Sequence, residues 1–461
     1  MGITDLQGRR KSIVTSHSAQ LTNMIYFSTN KSSTPVSIKK ATLEGLAPDG
    51  GLYVPSEIPK FSAQELALLE DASFCNIALA IAKKFIGGAI PPDQLSDMIE
   101  SCYPFDTPLV ELEQNTFIEE LFCGPTLAFK DYGARFLARL TGWFAAEDDR
   151  LITVLVATSG DTGSAVAYGF QGIANTRVVL LYPSGKVSRL QEQQLTTAGN
   201  NVEALEVKGD FDDCQRLVKQ AFVDPALKER LTLTSANSIN ISRLIPQSFY
   251  YAWAAMQLKT GYGLTHPVFS VPSGNYGNIT AGVLAKLMGF PVGHFVAASN
   301  ANDSVTRYLE DGRYEPHPTI TTISTAMDVG DPSNFARLRY LYGNDYRAMK
   351  KEITGVAISD KATRETIIKL HNEFGYIADP HTAVGFRALE EYRKASGNRS
   401  AGVVLSTAHP AKFLEAIEET LNKKIAIPDR LQAVLERKKQ ATLINASYNE
   451  LAGFLEHLDK H

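Results

Sequence analysis

The side chain with the most chemistry to offer lies at position 130. Residues 121–135 read LFCGPTLAFKDYGAR, with a single Lys at the end of an apolar approach, Thr126-Leu127-Ala128-Phe129, directly before Asp131. Residues 132–146 contain no Pro and place Phe136, Leu137, Leu140 and Phe144 at helical spacing, so Lys130 is predicted at or near a helix start. Partial burial and the positive end of a helix dipole both disfavour the ammonium and leave more free amine for carbonyl chemistry. A lone Lys reads first as a surface residue whose stem covers apolar neighbours. The residues downstream turn that balance toward chemistry.

Two loops offer anion sites. Pro272-Ser273-Gly274-Asn275-Tyr276-Gly277-Asn278 follows an apolar run and opens a helical pattern over 279–288. Gly274 and Gly277 let the backbone approach an anion, and successive N–H groups at the helix start are donors. The loop lacks GK[ST] and is not GxGxxG. Taken alone, it reads equally as a phosphate cradle and as a tight strand-to-helix connection. Thr158-Ser159-Gly160-Asp161-Thr162-Gly163 repeats the offer earlier in the chain, with hydroxyls suited to a carboxylate. Asp161 there would repel an anion unless it caps a helix or accepts from a neighbouring donor.

Two basic sets stand near predicted helix starts: Lys186 with Ser188 and Arg189, and Asn240 with Arg243. Each set alone reads as solvated surface; together they suit a second phosphoryl or carboxylate group. Thr407, after an apolar strand, has a hydroxyl for a ring nitrogen. His381 and His409 read as satisfied structural histidines, since no carboxylate–histidine spacing of a zinc site accompanies them.

The elements that would position these residues alternate strand and helix. Residues 151–157 are a continuous apolar, β-branched run, and 178–182 and 202–207 read as the strands that follow, each leading into a turn and a helical pattern, with Asp210 placed as a helix cap. A helix is expected over 239–258, then a second series with strands at 268–271, 295–298 and 403–405. Continuous apolar strands alternating with helices predict α/β architecture: two doubly wound, mainly parallel-sheet domains sharing a cleft. The expected divisions are a disordered extension over 1–23 and an N-terminal packing layer over 24–105. A smaller α/β domain over 106–235 and a larger cofactor-binding one over 236–461 follow.

Composition fits a soluble chain of this size: 461 residues, 44% apolar, 21% charged. A formal net charge of -4 argues against nucleic acid or an anionic membrane as partner. Four Cys show neither metal spacing nor a disulfide framework, which predicts a reducing, cytoplasmic setting. No apolar run is long enough to span a bilayer.

An amine-bearing Lys, a phosphate cradle, a carboxylate loop and a ring-nitrogen hydroxyl together suit pyridoxal 5'-phosphate. From about residue 24 to about 413 the chain resembles the threonine synthase family, fold-type II enzymes of the tryptophan-synthase-β-like kind. Seven segments in order carry the likeness: APDGGLYVP at 47–55, GPTLAFKD at 124–131, ATSGDTGSA at 157–165, NSIN at 237–240, VPSGNYGN at 271–278, DPHTAVG at 379–385 and TAHPAKF at 407–413. The resemblance implies that Lys130 is the Schiff-base lysine. It makes Gly274, Asn275, Tyr276 and Asn278 the cofactor-phosphate loop, and Thr407 the partner of the pyridine nitrogen. The loop from Ser159 to Gly163 matches the stretch that holds the substrate carboxylate. Many fold-type II relatives have Asn where this chain has Asp161, which leaves open what contacts the cofactor's ring oxygen.

The implied reaction converts O-phospho-L-homoserine and water to L-threonine and phosphate, with Lys130 as base at Cα and Cβ. Lys186, Ser188, Asn240 and Arg243 are the candidates for the leaving phosphate. A monomer or homodimer is expected. Two other readings remain at this stage: a sister lyase that releases 2-oxobutyrate or dehydrates serine or threonine, and a non-catalytic cofactor-binding descendant.

Overall fold

Strand β6 (Ile152–Ala157) reads ITVLVA and is buried at every residue, as a strand covered on both faces must be. The structure, a computed structural model, describes residues 24–158 and 160–458; the extension expected over 1–23 lies outside the described residues, as does Ser159. β6 sits in a five-stranded parallel sheet ordered β14 (Thr442–Asn445), β8 (Val202–Lys208), β7 (Thr176–Pro183), β6, β9 (Thr232–Thr234). Alternate side chains divide between two cores. Val154, Val156, Val178 and Leu180 face the helices Lys130–Glu147 and Asp161–Phe170. Leu155, Val179, Leu181 and Leu205 face the helices Phe211–Val223 and Tyr448–Leu458.

The second sheet has six strands: β12 (Ile353–Ala357), β11 (Phe295–Ser299), β10 (Val268–Pro272), β13 (Gly402–Ser406), β5 (Thr116–Glu120) and β4 (Leu109–Glu113). All neighbours are parallel except β4 and β5. The same alternation puts Phe117, Phe269, Phe295 and Val403 in one core and Ile118, Val296 and Val404 in another. A small antiparallel sheet of β2 (Val36–Ser37), β1 (Ile25–Ser28) and β3 (Tyr53–Pro55) begins the N-terminal layer. Its helix Phe74–Ile86, capped by Ser73, buries Ile77, Ala78, Ile81, Ala82 and Phe85, a helical stripe that joins the core of the helix Gln247–Tyr262.

Two expectations change. The helix predicted over 239–258 is two helices, Ile241–Leu244 and Gln247–Tyr262, divided at Pro246; Pro has no N–H to continue the ladder and clashes with the preceding turn. The sheets also cross the expected division at 235/236. β4 and β5 belong to the six-stranded sheet, and β14 with its helix Tyr448–Leu458 returns to the five-stranded one. Such pairings, Gly402 with Thr116 and Ile444 with Val207, join segments far apart in sequence.

Candidate active site

Lys130 is fixed by stitching its approach to the end of β13. Leu121 N donates to Ser406 O at 2.9 Å, Phe129 N to Thr407 O at 2.9 Å and His409 N to Leu127 O at 3.0 Å, with Ala128 and Ala408 forming an antiparallel bridge. The turn that allows this puts Leu127 at φ 58°, a left-handed conformation that a branched side chain adopts only when its surroundings impose it. Lys130 then opens the helix Lys130–Glu147. Its side chain is 17% exposed, and Nζ stands 3.7 Å from Asp161 Oδ2. Burial lowers its pKa; the Asp161 carboxylate opposes that shift, and Lys412 and Arg243 reinforce it. Buried Asp131 does not face solvent beside it: its carboxylate accepts from Thr126 N and Thr126 Oγ1, both at 2.8 Å.

Asp161 begins the helix Asp161–Phe170. Lys412, fully buried, donates to Asp161 Oδ1 at 2.9 Å, to Thr126 O at 2.9 Å and to Gln194 Oε1 at 3.1 Å. Burial pushes the Asp161 carboxyl up, but Lys412 and Lys130 outweigh it and hold the group well below the usual carboxylate range. Asp161 is therefore an anion that accepts from fixed donors, which answers the repulsion raised by its place in the loop.

The glycine loop follows β10. Tyr276 takes φ 57° and the helix Gly277–Leu287 begins with no side-chain cap, so its first amides have only an incoming ligand to meet. Asn278 Oδ1 accepts from Tyr250 OH at 2.6 Å and Tyr251 OH at 2.8 Å, while its Nδ2 is buried and unpartnered among the described residues. A Cβ at Gly274 would lie 2.8 Å from Ala326 O and from Met327 Cα, so only Gly fits. Asn275 is tied through Nδ2 to Ser238 Oγ and through Oδ1 to Ser333 N, both at 2.6 Å. Buried Arg337 braces the same side: Nε donates to Tyr53 O at 2.9 Å, Nη1 to Asn334 Oδ1 at 2.8 Å and Nη2 to Ile239 O. An unpartnered amide donor, uncapped backbone amides and a recessed amine in one cleft fit pyridoxal phosphate. Thr407, buried at the end of β13, has a hydroxyl with no hydrogen bond among the described residues.

The remaining sequence candidates separate. Thr158 Oγ1 accepts from Gly160 N at 3.1 Å and Gly163 N at 2.8 Å, so this hydroxyl shapes the loop. Gly160 takes φ 153° with the Gln191 amide where a Cβ would stand, and Thr162 is half-buried on the first helical turn. Arg243 is 3% exposed, donates Nη1 to Ala236 O at 2.8 Å and leaves Nε unpartnered. Asn240 is not a free anion ligand. It caps the helix Ile241–Leu244, accepting from Ser242 N at 3.0 Å, and spends Nδ2 on Thr42 O at 2.9 Å. Ser188 likewise caps the helix Arg189–Thr196 and reaches the cleft only through Gln191, whose Nε2 donates to Asp161 Oδ1 at 3.3 Å. Lys186 is exposed on the turn before it. His381 is satisfied, with Nδ1 2.6 Å from Asp379 Oδ1 and Nε2 accepting from Ala326 N at 3.1 Å.

Sequence reasoning missed Lys412, Gln191 and Gln194. Lys412 was in view inside TAHPAKF, but nothing in a sequence distinguishes a buried Lys from a surface one.

Three family models match in succession: "Threonine synthase N terminus" over residues 25–103, "Pyridoxal-phosphate dependent enzyme" over 103–407 and "Threonine synthase, C-terminal" over 382–454. Threonine synthase of Serratia marcescens is 43% identical over 420 residues, 91% of this chain and 96% of that protein. The solved structure of pyridoxal-phosphate-bound threonine synthase from Brucella melitensis superimposes with a TM-score of 0.89 at 36% identity, covering 95% of this chain and 100% of that one. The Escherichia coli threonine synthase structure gives 0.86 at 41% identity, over 94% and 100%.

Proposed function

The chain belongs to the threonine synthase family and forms threonine with pyridoxal phosphate, and we propose that it does so from O-phospho-L-homoserine and water, releasing phosphate, in the cleft around Lys130. The observation that carries this reading is Arg243. A guanidinium 3% exposed, unpartnered at Nε and felt at Lys130, has no acidic partner among the described residues. A site that handles serine or threonine needs no such charge; a substrate that brings its own phosphate does.

Pyridoxal phosphate, when bound, supplies an electron sink for the negative charge that develops next to the substrate's amine-bearing carbon. Lys130 holds the cofactor covalently and also serves as base. Its amine, whose pKa burial lowers, takes a proton from Cα and then from Cβ; it returns one to Cγ once phosphate has left and one to Cα after water has added at Cβ, the water's remaining proton going to the released phosphate. The amides that begin the helix Gly277–Leu287, together with Asn278 Nδ2 and the Gly274-Asn275-Tyr276 backbone, hold the cofactor phosphate. The Thr407 hydroxyl would hold the cofactor's ring nitrogen, and a hydroxyl there, unlike a carboxylate, would leave that nitrogen uncharged and so favour elimination. Gly160, Thr162 and the loop that Thr158 braces hold the substrate carboxylate, together with Ser159, which lies outside the described residues. Arg243 holds the phosphate as it leaves Cγ, with Lys186 as a second cation; Asn240 and Ser188 cap the helices that carry Arg243 and Gln191.

Every group in this scheme comes from one chain, so a monomer suffices and a homodimer is compatible. All four cysteines are free thiols, which supports a reducing, cytoplasmic setting. No helix among the described residues is long and apolar enough to cross a membrane. The test is to incubate the cofactor-loaded protein with O-phosphohomoserine and identify the products. Threonine and phosphate in equal amounts are expected. 2-Oxobutyrate as the main product would make the protein a sister lyase, and no turnover in a protein that shows the cofactor's absorbance would make it a binding protein.

A further inference from the structure

The scheme above does not use Lys412, yet this side chain has the most restricted position in the cleft. It comes from the turn Pro410–Phe413, is wholly buried, and directs Nζ at three acceptors: Asp161 Oδ1 at 2.9 Å, Thr126 O at 2.9 Å and Gln194 Oε1 at 3.1 Å. Three acceptors satisfy an ammonium fully, so Lys412 carries its proton and has none to share. Asp161, 6% exposed, is divided between two cations. Oδ1 goes to Lys412 at 2.9 Å, and Oδ2 stands 3.7 Å from Lys130 Nζ, beyond direct hydrogen-bond length.

The charges around the two lysines are few. Lys130 faces Asp161 from the helix Asp161–Phe170, Lys412 from the turn Pro410–Phe413 and Arg243 from the helix Ile241–Leu244. Asp161 also faces His381 from the helix Pro380–Ser396, but that ring accepts Ala326 N at Nε2 and donates Nδ1–H to Asp379 Oδ1, so it is neutral. Lys412 is further felt by Asp131, held by Thr126, and by His409. One carboxylate therefore serves two lysines. Left to Lys130 alone, it would form an ion pair and stabilise an ammonium that has no lone pair for carbonyl chemistry.

We propose that Lys412 is a positioning residue: it holds Asp161 through Oδ1 and so keeps that carboxylate from pairing with Lys130 and stabilising its ammonium form. The inference rests on the reading of Lys130 as the reactive amine. Its test uses no turnover, so the two fail separately. Full-length protein freed of cofactor is acetylated with a trace of acetic anhydride across a pH series, and the peptide carrying Lys130 is quantified by mass spectrometry. The rise of label with pH reads the titration of that amine.

Lys412→Met is expected to move the Lys130 midpoint upward by about one pH unit or more, leaving about tenfold less free amine at any pH well below the midpoint. Lys412→Arg, which keeps the charge, should stay near the native curve. The double variant Lys412→Met/Asp161→Asn should fall back to or below the native midpoint, because the released carboxylate is gone. Should Lys412→Met fail to fold, Lys412→Gln retains a donor for Asp161 and Thr126 but no charge, and the same upward shift is expected. A purely structural Lys412 would change folding and leave the midpoint where it is. A folded neutral variant at position 412 with a native Lys130 curve overturns the proposal, as does a double variant that stays as high as the single one. If the curves move as expected while O-phosphohomoserine gives no threonine, the functional reading falls and this one stands.

Discussion

Arg243 should be worth more to the reaction than to the fold, and Arg243→Met measures both. Burial pulls this guanidinium down to about 10, which corresponds to about 3 kcal/mol against its charged form. Its one hydrogen bond, Nη1 to Ala236 O at 2.8 Å, gives back about 1 kcal/mol. Met keeps most of the apolar volume and removes the charge, so unfolding in urea should show native or higher stability, by up to about 2 kcal/mol. The substrate phosphate loses a charge-assisted contact of about 1.5–3 kcal/mol, so kcat/KM for O-phosphohomoserine should fall roughly 10- to 150-fold. Cofactor affinity, followed by the visible absorbance of the bound group, should hardly change. A variant that unfolds more easily yet keeps native kcat/KM would reduce Arg243 to a tether for Ala236. A loss of cofactor affinity instead would assign the guanidinium to the other phosphate.

Lys130→Ala should lose the visible absorbance band of the bound cofactor while phosphate contacts retain some of it; a link still reducible by borohydride would move the attachment elsewhere. Gly274→Ala pushes a methyl to 2.8 Å from Ala326 O and Met327 Cα, both backbone, so overpacking of about 1–3 kcal/mol should appear mainly as weaker cofactor binding. Gly277→Ala meets only the Asn334 amide, at the longer distance of 3.2 Å, and should lose less; equal affinities in a titration of the two would contradict the assignment. Burial, the largest influence on both, pulls His294 and His409 from 6.5 down to about 4. Between those values the unfolded chain binds protons that the folded one refuses, so the contribution of these groups to stability is complete above about pH 6.5 and declines as pH falls toward 4. Urea unfolding should show that slope, reduced in a His294→Asn/His409→Asn protein; an unchanged slope would place the acid sensitivity in other groups.

Much of the site is legible where local rules decide. β6 is an uncharged, mostly β-branched run, Asp210 caps its helix through a box with Asp213, and Lys130 opens a helix whose apolar spacing is visible in the letters. Pro246 also announced, by its type, the break in the helix expected over 239–258. What local rules do not hold is burial and long-range pairing. Asn240 and Ser188 have the residue types of anion ligands and of helix caps, and only their bonds to Ser242 N and Gln191 N show them to be caps. Lys186 and Lys412 are equivalent in a sequence, yet one is exposed and the other buried against Asp161. The membership of β5 and β14 in their sheets likewise depends on partners about 285 and 237 residues away, at Gly402 to Ser406 and Leu205 to Lys208.

Arg337 has a consequence for how this chain is divided. The family models meet at residue 103, which invites cutting the gene there. The guanidinium of Arg337 takes one acceptor from each side of that line, Tyr53 O before it and Ile239 O after it, and grips Asn334, the residue against which Gly277 is packed. A protein begun at 104 would keep every residue assigned here to cofactor and substrate. It would also leave the buried Nε of Arg337 without its acceptor Tyr53 O, on the side chain that grips Asn334 beside Gly277.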